Sequence, residues 1–128
     1  MPMTPTNDVV FILNDVFFEY NEEKNRANIK KHGLSFQTAA RAFFDYDRIE
    51  FYDEGHSGDE DRYDIIGDLN AGGTIIGSAF DQSEDIVFVV YAERERRLKD
   101  GKPVETIRII SARYANNFER GLYYGKRY

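Results

Sequence analysis

The apolar positions of this chain change period twice, and the changes mark out its elements. Residues 15–20 (DVFFEY) are a short aromatic-rich run with strand character, and residues 9–13 ahead of them form a candidate further strand. A helix signal follows: Asn21 can cap it, Glu22 and Glu23 stand in the first turn where the helix dipole favours anions, and Lys30 and Lys31 stand in the last. With Gly33 as its natural stop, the helix is expected over residues 22–32. Ser35 caps a second helix whose Phe36, Ala39, Ala40, Phe43 and Phe44 recur at i, i+3, i+4, i+7 and i+8, the strongest periodic signal in the chain.

After Asp47 the period becomes two. Ile49 and Phe51 alternate with polar neighbours, and so do Tyr63, Ile65, Gly67 and Leu69, with the polar loop 53–61 (DEGHSGDED) between them. Residues 70–73 (NAGG) read as a hairpin turn leading to a strand at 74–80, and residues 86–92 (IVFVVYA) are apolar enough for a central strand. A charged connection over 93–103 leads to a last strand at 106–112, and Asn116 or Asn117 caps a helix that Gly125 ends. The expected fold is α+β: a curved antiparallel sheet with two N-terminal helices and a C-terminal helix on one face, leaving the other face for a ligand. Residues 17–128 would form one domain, with residues 1–16 an extension that adds a strand.

Composition narrows the function classes. Ten Phe and nine Tyr among 128 residues can supply a core, and the lack of Cys removes disulfides, thiolate zinc sites and cysteine nucleophiles. The apolar run at 9–13 is too short for a signal peptide or a membrane span, so a cytoplasmic location is expected. The formal net charge of −6 argues against loose binding to nucleic acid. Its distribution says more: residues 1–44 balance 5 acids with 5 bases, residues 45–85 hold 13 acids and 2 bases, and residues 86–128 hold 5 acids and 10 bases. A basic face can therefore exist on an acidic molecule.

Several motifs then stand in one order: residues 18–25 (FEYNEEKN), 28–33 (NIKKHG) with Phe36 and Ala39 behind, 61–67 (DRYDIIG), 89–94 (VVYAER), 108–113 (RIISAR), and Glu119-Arg120 ahead of Tyr123. Together they resemble the BrnT family of toxins over about residues 17–124. The resemblance implies a RelE-like ribonuclease fold, RNA cleavage that arrests growth, and a BrnA-like antitoxin with a ribbon-helix-helix domain. Such an antitoxin dimerises to bind DNA, so a hetero-oligomer is expected in which DNA is contacted only through the antitoxin. Two segments, 70–85 and 93–103, are longer than the family's usual pattern, and Tyr20 stands where many relatives have Trp.

Cleaving RNA without a metal takes a base for the 2′-hydroxyl, cationic donors for the phosphate and an acid for the leaving 5′-oxygen. Arg94 and Arg113 lie on or at the ends of neighbouring strands and suit phosphate binding, as does Arg62, which opens a strand after the acidic loop. Arg113 has a second reading, an ion pair with Glu93 or Glu119. Lys31 and His32 complete the candidate catalytic set, although a His ahead of a stop Gly also serves the helix terminus. Tyr91 and Tyr123 are candidates for base stacking, with half-buried core as the alternative. Arg96, Arg97, Lys99 and Arg108 are candidate RNA contacts, with a solvated, internally paired hairpin as the bland alternative for the first three. The acids Asp53, Glu54, Asp59, Glu60, Asp61 and Asp64 around His56 lack the spacing of a calcium loop and read as solvated surface, so no metal or cofactor is expected. The competing class is a catalytically silent interaction module on the same fold, docking a basic partner through residues 45–85.

Overall fold

The computed structural model describes residues 7–70 and 85–125. Two strands, β1 (Asp8–Leu13) and β2 (Val16–Asn21), form an antiparallel hairpin whose turn places Asn14 and Asp15 at positive φ, where their short polar side chains are tolerated. Helix α1 (Glu22–His32) begins with Asn21 accepting from the Lys24 amide and ends on Gly33 in the left-handed conformation. The second helix starts on Ser35 but remains α-helical only as α2 (Phe36–Ala39), tightening to a 3-10 helix over Ala40–Phe44. Three residues per turn set Ala39, Ala42 and Asp45 in a line, and all three are buried.

A meander of β3 (Ile49–Tyr52), β4 (Tyr63–Asp68), β5 (Ile86–Arg97) and β6 (Pro103–Tyr114) follows, and α3 (Asn117–Gly125) closes the chain. The strand expected at 74–80 lies outside the described residues. The strand order is β1-β2-β6-β5-β4-β3, and β2 pairs with β6 in parallel, so the sheet is mixed and not wholly antiparallel. Periodicity locates strands but does not say which become neighbours, and here the chain returns from the meander to lie beside its second strand. The long 93–103 connection is mostly strand, with a tight tip between Arg97 and Pro103.

Phe18, Tyr20, Ile65, Val87, Val89, Tyr91, Ile109 and Ala112 form the sheet side of the main core, against Leu34, Phe36, Ala39, Ala40 and Ala42. Val90 faces Ser111 while Tyr91 faces Ile109, so Ile110 is an extra residue in β6. That bulge resets the alternation and lets both Ile109 and Ala112 reach the core. Beside it the Ala112 amide donates to the Asn28 side chain, which also donates to the Leu34 carbonyl. The helices do not all share one face. Tyr123 of α3 clusters with Ile66, Ile86, Ile49 and Phe88 on the opposite side and covers one end of it. The remainder of that side carries the candidate site.

Candidate active site

Alternation along the strands decides which charged groups meet. Phe18 and Tyr20 turn into the core, so Glu19 points to the open side, opposite Arg108 of β6 in the register. Arg94 and Arg96 lie two and four residues beyond Ala92 on that side of β5. The Glu19 carboxylate, 5% exposed, accepts from Arg108 Nη1 at 2.6 Å and Arg96 Nε at 3.0 Å, with Arg94 Nη1 at 3.8 Å. Arg108 also donates to Asp8 at 3.1 Å. Burial alone would weaken the charge on Arg108, but its bonds to Asp8 and Glu19 outweigh it and raise the guanidinium pKa. A buried carboxylate shared among several guanidinium groups is compensated, and it holds them within reach of one another.

The loop between β3 and β4 folds over the same side. Its ends are tied by the Asp53 amide on the Arg62 carbonyl, and the Ser57 hydroxyl donates to the Asp53 carbonyl. Glu60 takes a bidentate bond from Arg94, at 2.8 and 3.0 Å, which lowers the Glu60 pKa and raises that of Arg94. Arg62 and Arg108 add their field at Glu60, so Arg62 belongs to the same neighbourhood. Deeper in, Asp53 lies against Asp64, the two carboxyls within hydrogen-bond reach. Burial, then the bond to Asp53 and the nearby charges of Asp53 and Glu119, push Asp64 up to about 8. Burial acts on Asp53 too, but bonds from Asp64 and from the His56 ring and amide outweigh it and lower its pKa. The pair therefore holds one proton at neutral pH, on Asp64.

Arg113 forms a bidentate ion pair with Glu119 at 2.7 and 2.8 Å and stands 4.5 Å over the Phe88 ring. Glu119 also accepts from the Asn116 amide while Asn116 accepts from the Glu119 amide, a reciprocal cap at the start of α3. The ion-pair reading of Arg113 is thus what its geometry displays. Among the residues singled out from sequence, Arg62, Arg94, Arg96 and Arg108 come together. Arg97 binds the Gly101 carbonyl and Lys99 is exposed, both at the hairpin tip. Lys31 and His32 end α1, and no hydrogen bond or ion pair of the arginine network among the described residues reaches them. Tyr91 and Tyr123 are buried. The first lies against Phe43 and Tyr63, where burial pushes its hydroxyl up to about 12, and the second donates to Asp45 at 2.6 Å.

A groove of about 680 Å³ beside the network is lined by Asp15, Glu93, Glu95 and Glu105 with Arg94 the one cation, a poor seat for a phosphodiester. Among the described residues no group of three or more His, Asp or Glu is arranged to hold a metal ion. Sequence reasoning passed over Glu19 and read Glu60 and the Asp53–His56–Asp64 group as solvated surface, whereas Asp53 and Asp64 are buried. The spacing of Asp53 and His56 within a turn-forming loop was the available signal for the last of these.

This small α+β protein gathers four arginines beside the open part of its sheet, donors whose geometry suits the oxygens of carboxylates and phosphates alike. Residues 20–119 match the family described as the ribonuclease toxin, BrnT, of type II toxin-antitoxin systems, and the chain belongs to that family. Such a toxin has a protein antitoxin as its partner. Comparison with curated proteins finds no match.

Proposed function

We propose that this chain cleaves RNA across the open part of its sheet, with Arg94, Arg96, Arg108 and Arg62 holding the phosphodiester, and that it needs no metal to do so. The observation that carries the reading is the convergence of Arg94, Arg96 and Arg108 on the single buried carboxylate of Glu19. Arg94 keeps 42% of its side chain exposed, and its fork is already set against the two oxygens of a planar carboxylate, Glu60. A phosphate can take the place of Glu60 on that fork without rearranging the arginine. The cations then stabilise the crowded phosphorus as the 2′-oxygen attacks. Arg113 supports the site by fixing α3 to the sheet through Glu119. In this reading Lys31, His32, Tyr91 and Tyr123 serve the helix end and the core.

The same reading includes a RelE-like fold, growth arrest in the cytoplasm, and neutralisation by a BrnA-like ribbon-helix-helix antitoxin in a hetero-oligomer that contacts DNA through the antitoxin. It is supported by family membership and by the ordered motifs of the sequence. A silent docking module is disfavoured because, among the described residues of the acidic segment, Asp45, Asp53 and Glu60 bind groups of the same chain. The purified chain is expected to degrade RNA in EDTA and to stop growth when its expression is induced. Intact RNA together with unchanged colony counts would overturn the reading.

A further inference from the structure

We infer that His56 takes the proton from the ribose 2′-hydroxyl, with Asp53 as its positioning residue; the inference rests on the ribonuclease reading above. His56 Nδ1 lies 2.8 Å from Asp53 Oδ2, and the His56 amide donates to Asp53 Oδ1 at 3.0 Å. A carboxylate only accepts, so the proton of the neutral ring sits on Nδ1 and the lone pair on Nε2. Asp53 is 9% exposed and the His56 ring 66% exposed, so the ring is anchored on its inner edge and open to solvent on its outer one. The arrangement supplies a base of fixed tautomer and orientation, and a buried anion behind it to balance the imidazolium that forms.

Asp64 makes the anion behind the ring a single one. It is buried against Asp53, and its Oδ1 has no hydrogen-bond partner. With the shared proton on Asp64, Asp53 remains the carboxylate that faces His56. The charged groups around the pair are His56 from the loop, Arg113 from β6 and Glu119 from α3. The loop also places the ring: the segment that carries His56 carries Glu60, whose partner is Arg94. A phosphate that replaces Glu60 on Arg94 comes to the edge of this loop. His32, the other histidine, has no carboxylate partner among the described residues.

The step balances without another reagent. Nε2 takes the 2′-hydroxyl proton, the 2′-oxygen to phosphorus bond forms as the phosphorus to 5′-oxygen bond breaks, and the proton returns through water to the leaving 5′-oxygen. The products are a 2′,3′-cyclic phosphate and a 5′-hydroxyl end.

The test compares wild type, His56→Ala and His56→Gln in EDTA. It reads the cleavage rate of an RNA, binding of the same RNA with a 2′-deoxy substitution at the cut site, thermal unfolding, and recovery of the rate with added imidazole. Both variants are expected to lose about 100-fold or more in rate with binding and unfolding unchanged, and imidazole is expected to restore part of the rate of His56→Ala. Wild-type rates in either variant overturn the inference and leave the ribonuclease reading intact. Loss of binding together with rate, with no imidazole recovery, assigns His56 to loop structure and also overturns it. A wild-type protein that cleaves no RNA overturns both.

Discussion

Glu19 governs the arginines at the level of single residues. Replacing it with Gln removes the buried anion that holds Arg94, Arg96 and Arg108 and leaves their charges facing one another. Glu19→Gln is expected to lower thermal stability and to tighten RNA binding at low salt, checked by unfolding curves and by titration of a labelled RNA. Tyr123→Phe tests a different contact, the hydroxyl on Asp45, and is expected to cost about 1–2 kcal/mol in denaturant unfolding. The arginines of β5 and β6 were legible as candidates because residue type alone suits phosphate. Glu19 was not, since its place among three guanidinium groups depends on the pairing of β2 with β6, which no local pattern encodes. His32 is a candidate through the motif around it, and His56 reads as solvated, because an acidic loop looks solvent-facing until its ends are seen to be tied.

Among the elements, the second helix shows where periodicity stops. The spacing of Phe36, Ala39, Ala40, Phe43 and Phe44 correctly marked an apolar stripe, and the first three are fully buried. The 3-10 segment packs closely on β4, where a Cβ on Gly67 would stand 2.9 Å from the Ala42 carbonyl oxygen. Gly67→Ala is therefore expected to push the 3-10 helix off β4 and to destabilise the fold by about 1–3 kcal/mol, measured by denaturant unfolding. Asp45 ends that helix and accepts from the Asp68 amide and the Tyr123 hydroxyl, so one side chain ties the 3-10 helix, β4 and α3 together. The caps at Asn21, Ser35 and Gly33 were legible because they act within a few residues. The bulge at Ile110 and the parallel β2–β6 pair were not, because both are set by partners distant in sequence.

Across the whole molecule, the charges that are segregated in sequence are mixed in space. Glu60 from the acidic stretch clasps Arg94 from the basic third, and Glu19 from the neutral first third takes Arg96 and Arg108. With only a few arginines offered to RNA by a chain of net charge −6, the salt dependence of binding is expected to be shallow, a log–log slope of roughly −2 to −3. The acidic stretch also sets a pH response. Asp64 keeps its proton in the folded protein up to about 8, against 3.8 for an ordinary carboxylate, so the folded state binds more protons between those values. Its contribution to stability is full at the acid end of that window and is lost as pH rises towards 8. Unfolding experiments at pH 5.5 and 8.5 are expected to show this loss in wild type and a flatter profile in Asp64→Asn. The claim at the centre is that RNA is cleaved on the open side of the sheet by groups of this chain. It is tested most directly by single-turnover RNA cleavage in EDTA with wild type, Arg94→Ala/Arg96→Ala and Lys31→Ala/His32→Ala. Cleavage by wild type with about a 100-fold loss in the arginine variant is the expected result. An arginine variant that cleaves at the wild-type rate, with activity abolished in the Lys31 and His32 variant, would contradict it.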